Sequence, residues 1–292
     1  MNVLSLFDGM SCAQIALERL GIKVDNYYAS EIDKYAIKVA QKNYPNTKQV
    51  GNIIELKGDR LPNIDLLCGG SPCQSFSRSG NQSGFNGKSK LFWEYVRLLK
   101  EVNPKYFLLE NVVMKKEWEN IISDALGVES IQICSSKFSA QKRQRLYWTN
   151  IPQNLDIVDK GITLKDIVIG ERDQINSPLI MDNYDNGSYK IRNCTLKGYL
   201  IAEEGDGIAL EYPKSNTRRG RVSVGKTNTL NTACNIGMIK DGKLVKLNIN
   251  DCEALQTLPK DYTSSVSDNQ RKKMIGNGWT IDVIAHLFKN LK

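Results

Sequence analysis

Short apolar runs alternate with stripes of helical period through the first half of the chain. Residues 3–7 form an apolar strand, and Ala13, Ala16, Leu17 and Leu20 then recur at helical spacing before Gly21, a natural C′ position. Residues 26–30 read as the next strand, and residues 34–43 as a helix whose apolar face is Ala36, Ile37 and Ala40. Residues 64–68, interrupted by Asp65 alone, and 106–109 are apolar runs, the pattern of parallel strands buried on both faces. Between them Leu91, Tyr95, Leu98, Leu99 and Val102 make a helical stripe. The alternation predicts an α/β fold, an open and mostly parallel sheet covered by helices on both sides.

In such sheets ligands bind at the carboxyl ends of the strands. The residues there carry chemistry: Phe7-Asp8-Gly9-Met10 after the first strand, Glu31 after the second, Asn52 after the third, Pro72-Cys73 after the fourth and Glu110-Asn111-Val112 after the fifth. An acidic residue at the position of Glu31 is placed to accept from ribose hydroxyls. The first turn lacks G-x-G-x-x-G, so a pyrophosphate dinucleotide is not indicated, and a nucleoside without phosphates, S-adenosylmethionine, fits better. A cysteine on a loop leaving a buried strand is where a thiolate nucleophile would stand, although an arbitrary cysteine is more often a buried structural one.

Composition narrows the setting. The chain has 292 residues, 41% of them hydrophobic, enough for one large α/β domain and a smaller appendage. It opens without a basic segment leading into an apolar one, and no run approaches the roughly 18 apolar residues of a membrane span, so neither secretion nor membrane insertion is expected. Seven scattered cysteines without a C-x-x-C pair, and a single histidine, predict reduced thiols, no disulfides and no metal. The formal net charge is +8, and residues 211–246 alone carry eight basic side chains against two acidic ones. That block is a candidate contact for a polyanion. Residues 151–247 lose the strand-helix rhythm and are rich in Gly, Asn and Thr, whereas Ile281, Ile284, Ala285 and Phe288 mark a last amphipathic helix.

Seven motifs in order resemble the cytosine-C5 DNA methyltransferase family over essentially the whole chain. They are Phe7-Asp8-Gly9, Glu31, Gly69-Gly70-Ser71-Pro72-Cys73-Gln74-Ser75-Phe76-Ser77, Glu110-Asn111-Val112, Gln141-Lys142-Arg143-Gln144-Arg145, Cys252-Glu253-Ala254-Leu255-Gln256 and Gly276-Asn277-Gly278. Arg145-Leu146-Tyr147-Trp148 and the closing Trp279 look most like the animal de novo branch and its prokaryotic and phage relatives. The resemblance implies a Rossmann-like S-adenosylmethionine-dependent methyltransferase sheet with a smaller, irregular target-recognition domain. It divides the chain into a catalytic and cofactor-binding part (residues 1–150), a target-recognition part (151–247) and a returning C-terminal segment (248–292).

The implied chemistry is methylation of cytosine C5. Cys73, set by Pro72, would add to C6 of a flipped-out base, Glu110 would protonate or hydrogen-bond N3, Arg143 would hold O2 and Arg145 would help order the site. Phe7, Asp8, Gly9, Met10, Glu31, Ile32, Asn52, Ile53, Asn277, Gly278 and Trp279 would bind the cofactor. Gln74, Ser77, Arg78 and Ser79 lie on a polar loop, residues 74–90, with the composition of a mobile lid that would approach the DNA backbone. Gln141, Arg218, Arg219 and Arg221 complete the expected DNA contacts.

Two positions depart from the family pattern: Asn52 stands where an acidic residue commonly receives the adenine amino group, and Gly278 where serine usually follows Asn277. Double-stranded DNA is the implied partner, a cognate restriction endonuclease is a second one the resemblance allows, and a cytoplasmic, bacterial or phage-encoded protein is expected. Two other readings stay open: transfer RNA as the substrate, as in one branch of the family, and a catalytically silent DNA-binding paralogue. The presence of Cys73, Glu110 and Arg143 weighs against the second.

Overall fold

The apolar runs pair with one another as parallel strands, and a reversed pair extends them. A computed structural model describes residues 1–72, 76, 84–85 and 90–292. In it β1 (Asn2–Leu6), β2 (Asn26–Ser30), β3 (Lys48–Gln49), β4 (Leu66–Gly70), β5 (Tyr106–Val112) and β6 (Ile131–Cys134) belong to one sheet. After β7 (Gln141–Lys142), which lies outside it, β8 (Gln144–Thr149) completes the order β3-β2-β1-β4-β5-β8-β6. The first five of those positions are joined by parallel ladders, whereas β8 runs antiparallel to both β5 and β6. The order changes direction between β1 and β4, which opens a crevice at their carboxyl ends.

The two-residue period of the strands sorts their side chains into two cores. Val3, Leu66, Cys68 and Leu108 face one cluster, together with Ala13, Ala16 and Leu17 of α1 (Cys12–Arg19). Leu4, Leu6, Leu67 and Leu109 face the other, against Phe92, Tyr95 and Leu98 of α3 (Phe92–Val102) and Ile122 of α4 (Lys116–Leu126). Between β2 and β3 runs α2 (Lys34–Asn43), whose first turn is capped by Asp33 accepting from the Tyr35 amide at 3.0 Å.

Residues 151–247, unreadable by period, hold α5 (Leu164–Ile167) and eight strands. β9 (Ile180–Asn183), β10 (Tyr189–Arg192) and β11 (Tyr199–Ala202) form an antiparallel sheet. β12 (Gly207–Ala209), β13 (Val222–Ser223), β15 (Ile236–Lys240) and β16 (Lys243–Lys246) form a second, while β14 (Thr227–Asn228) pairs in parallel with β7. Strands of two to five residues are too short to show alternation against their turns. Leu230, Ile236, Met238 and Val245 from this region join the same apolar cluster as α1.

The chain then returns through α6 (Ile249–Leu255), α7 (Asp268–Asn277) and α8 (Ile281–Phe288). Ile281, Ile284, Ala285 and Phe288, the stripe read from the sequence, are buried in the cluster of α1. No described helix is long and apolar enough to cross a membrane.

Candidate active site

A cavity of about 440 Å³ opens at the carboxyl ends of β1, β2, β4 and β5, where the strand order reverses. Its wall includes Phe7, Asp8, Gly9, Met10, Glu31, Ile32, Asn52, Ile53, Pro72, Glu110, Arg143, Arg145, Asn277, Gly278 and Trp279, so the structure brings these sequence candidates together. Cys73, Gln74, Ser77, Arg78 and Ser79 lie outside the described residues. Ser71 and Pro72, immediately before Cys73, line the cavity.

Glu110 is held from two sides. Gly70 faces Glu110 in the β4–β5 ladder, and Tyr147 faces it in the β5–β8 ladder. Arg145, paired with Val112, is therefore the diagonal neighbour of Glu110 on the same face of the sheet. Its Nε lies 2.9 Å from Glu110 Oε1 in an ion pair, and Trp279 Nε1 donates to Oε2 at 3.1 Å. Gly70 makes this approach possible, because a Cβ there would stand 2.9 Å from Glu110 Oε2 and 3.0 Å from Trp279 Nε1. Asn111 fastens the same strand end, its Nδ2 donating to Ser71 Oγ at 3.0 Å.

Arg143 lines the cavity and is anchored by backbone. Its buried guanidinium donates to the carbonyls of Leu230, Gly276 and Gly278 at 3.3, 3.2 and 2.9 Å, tying the β14–β15 connection to the end of α7 beside the cavity. The guanidinium against Glu110 belongs to Arg145. Alternation along the Gln-Lys-Arg-Gln-Arg motif puts both arginines on one face, but the motif alone does not say which reaches the carboxylate.

The cofactor candidates form a second constellation. Glu31 Oε2 accepts from the Gly9 amide at 2.8 Å, and Oε1 accepts from the Ile32 and Asp33 amides at 2.7 and 2.8 Å. Ile32 is left 75% exposed at the cavity wall, a large apolar surface offered to a planar group. Asn52 Oδ1 accepts from the Ile54 amide at 3.1 Å, and the neighbouring Ile53 amide has no hydrogen bond within the chain among the described residues. Asp8 sits at the turn after β1, between Phe7 and Ser11, both in the left-handed region at φ 55° and 62°. It accepts from Tyr27 Oη at 2.7 Å and from Ser11 Oγ, and burial pushes its carboxyl up to about 6 despite those bonds.

Gly278 has a local reason. A Cβ at 278 would lie 2.5 Å from Met10 Cε and 3.0 Å from the Met274 carbonyl, so Met10 fills the place a serine side chain would need. The Tyr262 hydroxyl holds Met10 in turn, donating to its carbonyl at 2.7 Å.

Two expected DNA contacts are corrected. Gln141 is fully buried, its Nε2 donating to the Leu255 carbonyl and Gln256 Oε1 at 3.2 and 3.1 Å, and its Oε1 accepting from the Leu230 amide at 2.9 Å. Arg221 is fully buried as well and donates to the carbonyls of Ala209, Glu211 and Tyr212 at 3.3, 2.8 and 2.7 Å. Both hold backbone in place and present nothing to a groove. Arg219 is exposed, and Arg218 is half-buried in an ion pair with Glu211 at 2.7 Å.

Most of the loop after Cys73, including the part read as a lid, lies outside the described residues. Its described residues include a buried Phe76 that meets Phe85 edge-on at 5.0 Å and approaches Trp118 at 5.8 Å. Phe85 in turn packs on Phe92. These described side chains form one aromatic cluster with Trp118 and Phe92. Gln256, which the sequence shows only as the end of the Cys252–Gln256 motif and without a role, donates from Nε2 to the Ile275 carbonyl at 2.8 Å and accepts at Oε1 from Thr280 at 2.7 Å. It braces the turn that delivers Trp279.

Among the described residues no group of His, Cys, Asp and Glu side chains is gathered as a metal site. Known proteins resemble this chain along its length. An orphan methyltransferase of Bacillus phage SPR, M.SPRI, is 37% identical over 169 residues, which make up 53% of this chain and 38% of that protein. The chain thus matches well under half the length of that phage relative. The type II methyltransferase M.HhaI of Haemophilus parahaemolyticus is 26% identical over 100% of this chain and 94% of its own length. The Entamoeba histolytica methyltransferase EhMeth shares the fold, with a TM-score of 0.67 at 16% identity over 100% of this chain and 99% of that one. The C-5 cytosine-specific DNA methylase model matches residues 1–292, and the chain belongs to that family.

Proposed function

We propose that the protein transfers a methyl group from S-adenosylmethionine to C5 of a cytosine extruded from duplex DNA. The observation that carries this reading is Glu110, held by Arg145 and Trp279 in a cavity that begins where the Pro72-Cys73 loop leaves β4. A ring carbon as poor a nucleophile as cytosine C5 needs a thiolate added at C6, and Cys73 is the thiol the sequence supplies for it.

Glu110 stands to engage N3 of the base as charge develops on the ring, and Arg145 to hold O2, because its guanidinium already touches the carboxylate that would meet N3. Arg143 acts behind them by fixing Gly276 and Gly278. The residues present suit the cofactor: the Ile32 surface can stack on adenine, the Ile53 amide and Asn52 Oδ1 offer a donor and an acceptor to its edge, and Glu31 keeps acceptor capacity for a ribose hydroxyl. When bound, the sulfonium supplies the methyl group to C5. Loss of the C5 proton and elimination of Cys73 then restore the enzyme.

Residues 151–247 are the part we assign to target recognition, with Arg219 and Arg218 in place of the buried Arg221. The protein is bacterial or phage-encoded and acts in the bacterial cytoplasm. Incubation with labelled S-adenosylmethionine and either duplex DNA or transfer RNA tests the reading: label in DNA, abolished by Cys73→Ser, is expected. Label in RNA alone, or none in either, overturns it. Bisulfite sequencing of DNA from an expressing host then gives the target.

A further inference from the structure

We propose that Tyr212 is a DNA-stacking residue that positions the duplex for the transfer reaction. The proposal rests on the reading of DNA as substrate. Tyr212 follows β12 with its side chain 71% exposed, and its backbone is in the left-handed region at φ 47°, a conformation bulky side chains avoid. A strained position persists only where its surroundings impose it, and here they are explicit. The Tyr212 carbonyl accepts from Nη2 of the buried Arg221 at 2.7 Å and from the Ser215 amide at 2.9 Å. Arg221 Nη1 grips the preceding carbonyls of Glu211 and Ala209. A buried cation is thus committed to holding an aromatic ring out in solvent, which stability alone does not require.

Chemistry around the ring identifies its partner as a polyanion with flat apolar faces. The Arg218 guanidinium lies 5.9 Å from the ring centroid, and exposed Lys214 and Arg219 belong to the same turn. The nearest acidic residue in sequence, Glu211, is buried and paired with Arg218. An aromatic face among cations is the arrangement that stacks on nucleic-acid bases while the cations take the phosphates.

The turn is also coupled to the cavity. Glu211, paired with Arg218, has the Asn231 side chain close enough to lower its carboxyl against the effect of burial. The Asn231 backbone presses on Gly276, where a Cβ would come within 2.4 Å of it, and the adjoining Leu230 carbonyl accepts from Arg143. A ring seated against DNA at this turn would fix the duplex relative to Glu110 and Arg145.

The test compares the wild type with Tyr212→Ala, Tyr212→Phe and Tyr212→Trp, using duplex DNA free of cytosine-C5 methylation over a range of salt concentrations. Tyr212→Ala should raise the KM for DNA about tenfold or more, leave the KM for S-adenosylmethionine unchanged, and keep the slope of log affinity against log salt. Arg219→Ala should instead reduce that slope by about one. The Phe and Trp variants should stay within about twofold of wild type, since they keep the stacking face. A DNA KM unchanged in Tyr212→Ala overturns the proposal, and so does a Phe or Trp variant as impaired as Ala. A wild type that methylates no DNA overturns the underlying reading, and this inference with it.

Discussion

Arg145 and Glu110 meet through a 2.9 Å ion pair because they are diagonal neighbours across an antiparallel ladder, β5 against β8, at the edge of an otherwise parallel region. The reversed strand does what a further parallel strand would not do here: it carries a guanidinium back across the carboxylate at the mouth of the crevice. Glu110→Gln and Arg145→Lys should each lower kcat about 10²- to 10⁴-fold while leaving thermal stability nearly intact. The double variant should be little worse than either single one, since the pair acts as a unit. Single-turnover transfer measures this, and additive losses would show two separate roles.

Met10 and Gly278 should be epistatic. Gly278→Ser, which restores the residue usual in the family, would drive its Cβ into Met10 Cε and is expected to weaken S-adenosylhomocysteine binding about tenfold or more. Adding Met10→Ala should recover part of the loss. Calorimetric titration decides, and a Gly278→Ser single variant with undiminished affinity would refute the steric account.

Gly276→Ala should be costly for a different reason. The added Cβ would meet backbone atoms of Asn231 and Thr232 at 2.4 to 2.5 Å, and backbone cannot step aside as a side-chain tip can. A loss of roughly 2–4 kcal/mol in unfolding free energy is expected, read from denaturant midpoints.

Asp8 makes stability depend on pH. Its carboxyl titrates near 3.8 when unfolded and is pushed up to about 6 in the native state by burial. The folded protein therefore holds a proton the unfolded chain has lost, and the contribution of this group, complete below about pH 4, disappears as pH rises through 6. Relative to wild type, Asp8→Asn should gain a few kcal/mol between pH 4 and pH 7. A constant difference between the two proteins across that range would count against it.

Much of this was legible in the sequence because it follows from local period or from strand ends. The parallel strands, the buried face of α8 and the gathering of Glu31, Asn52 and Glu110 at one crevice all came from spacing. What escaped depends on contacts between distant segments. Arg221 and Arg219 read alike as basic residues of one turn, yet one is fully buried on three carbonyls and the other is exposed. Gln141 and Gln256 bond each other across the fold, and nothing within either motif announces it. The eight short strands of residues 151–247 are held by pairing partners rather than by their own pattern.

Trp279 donates to Glu110 from just beyond α7, whereas Phe7 and Asp8 line the same cavity from the turn after β1. A ribosome therefore lays down one wall of the site early and another only after the codon for Trp279 has been read. A nascent chain carries Glu110 and the basic segment of residues 211–246 before it carries the indole that steadies the carboxylate. Premature termination between residues 246 and 279 would leave a chain that has Glu110 and the basic segment but not the indole that holds the carboxylate.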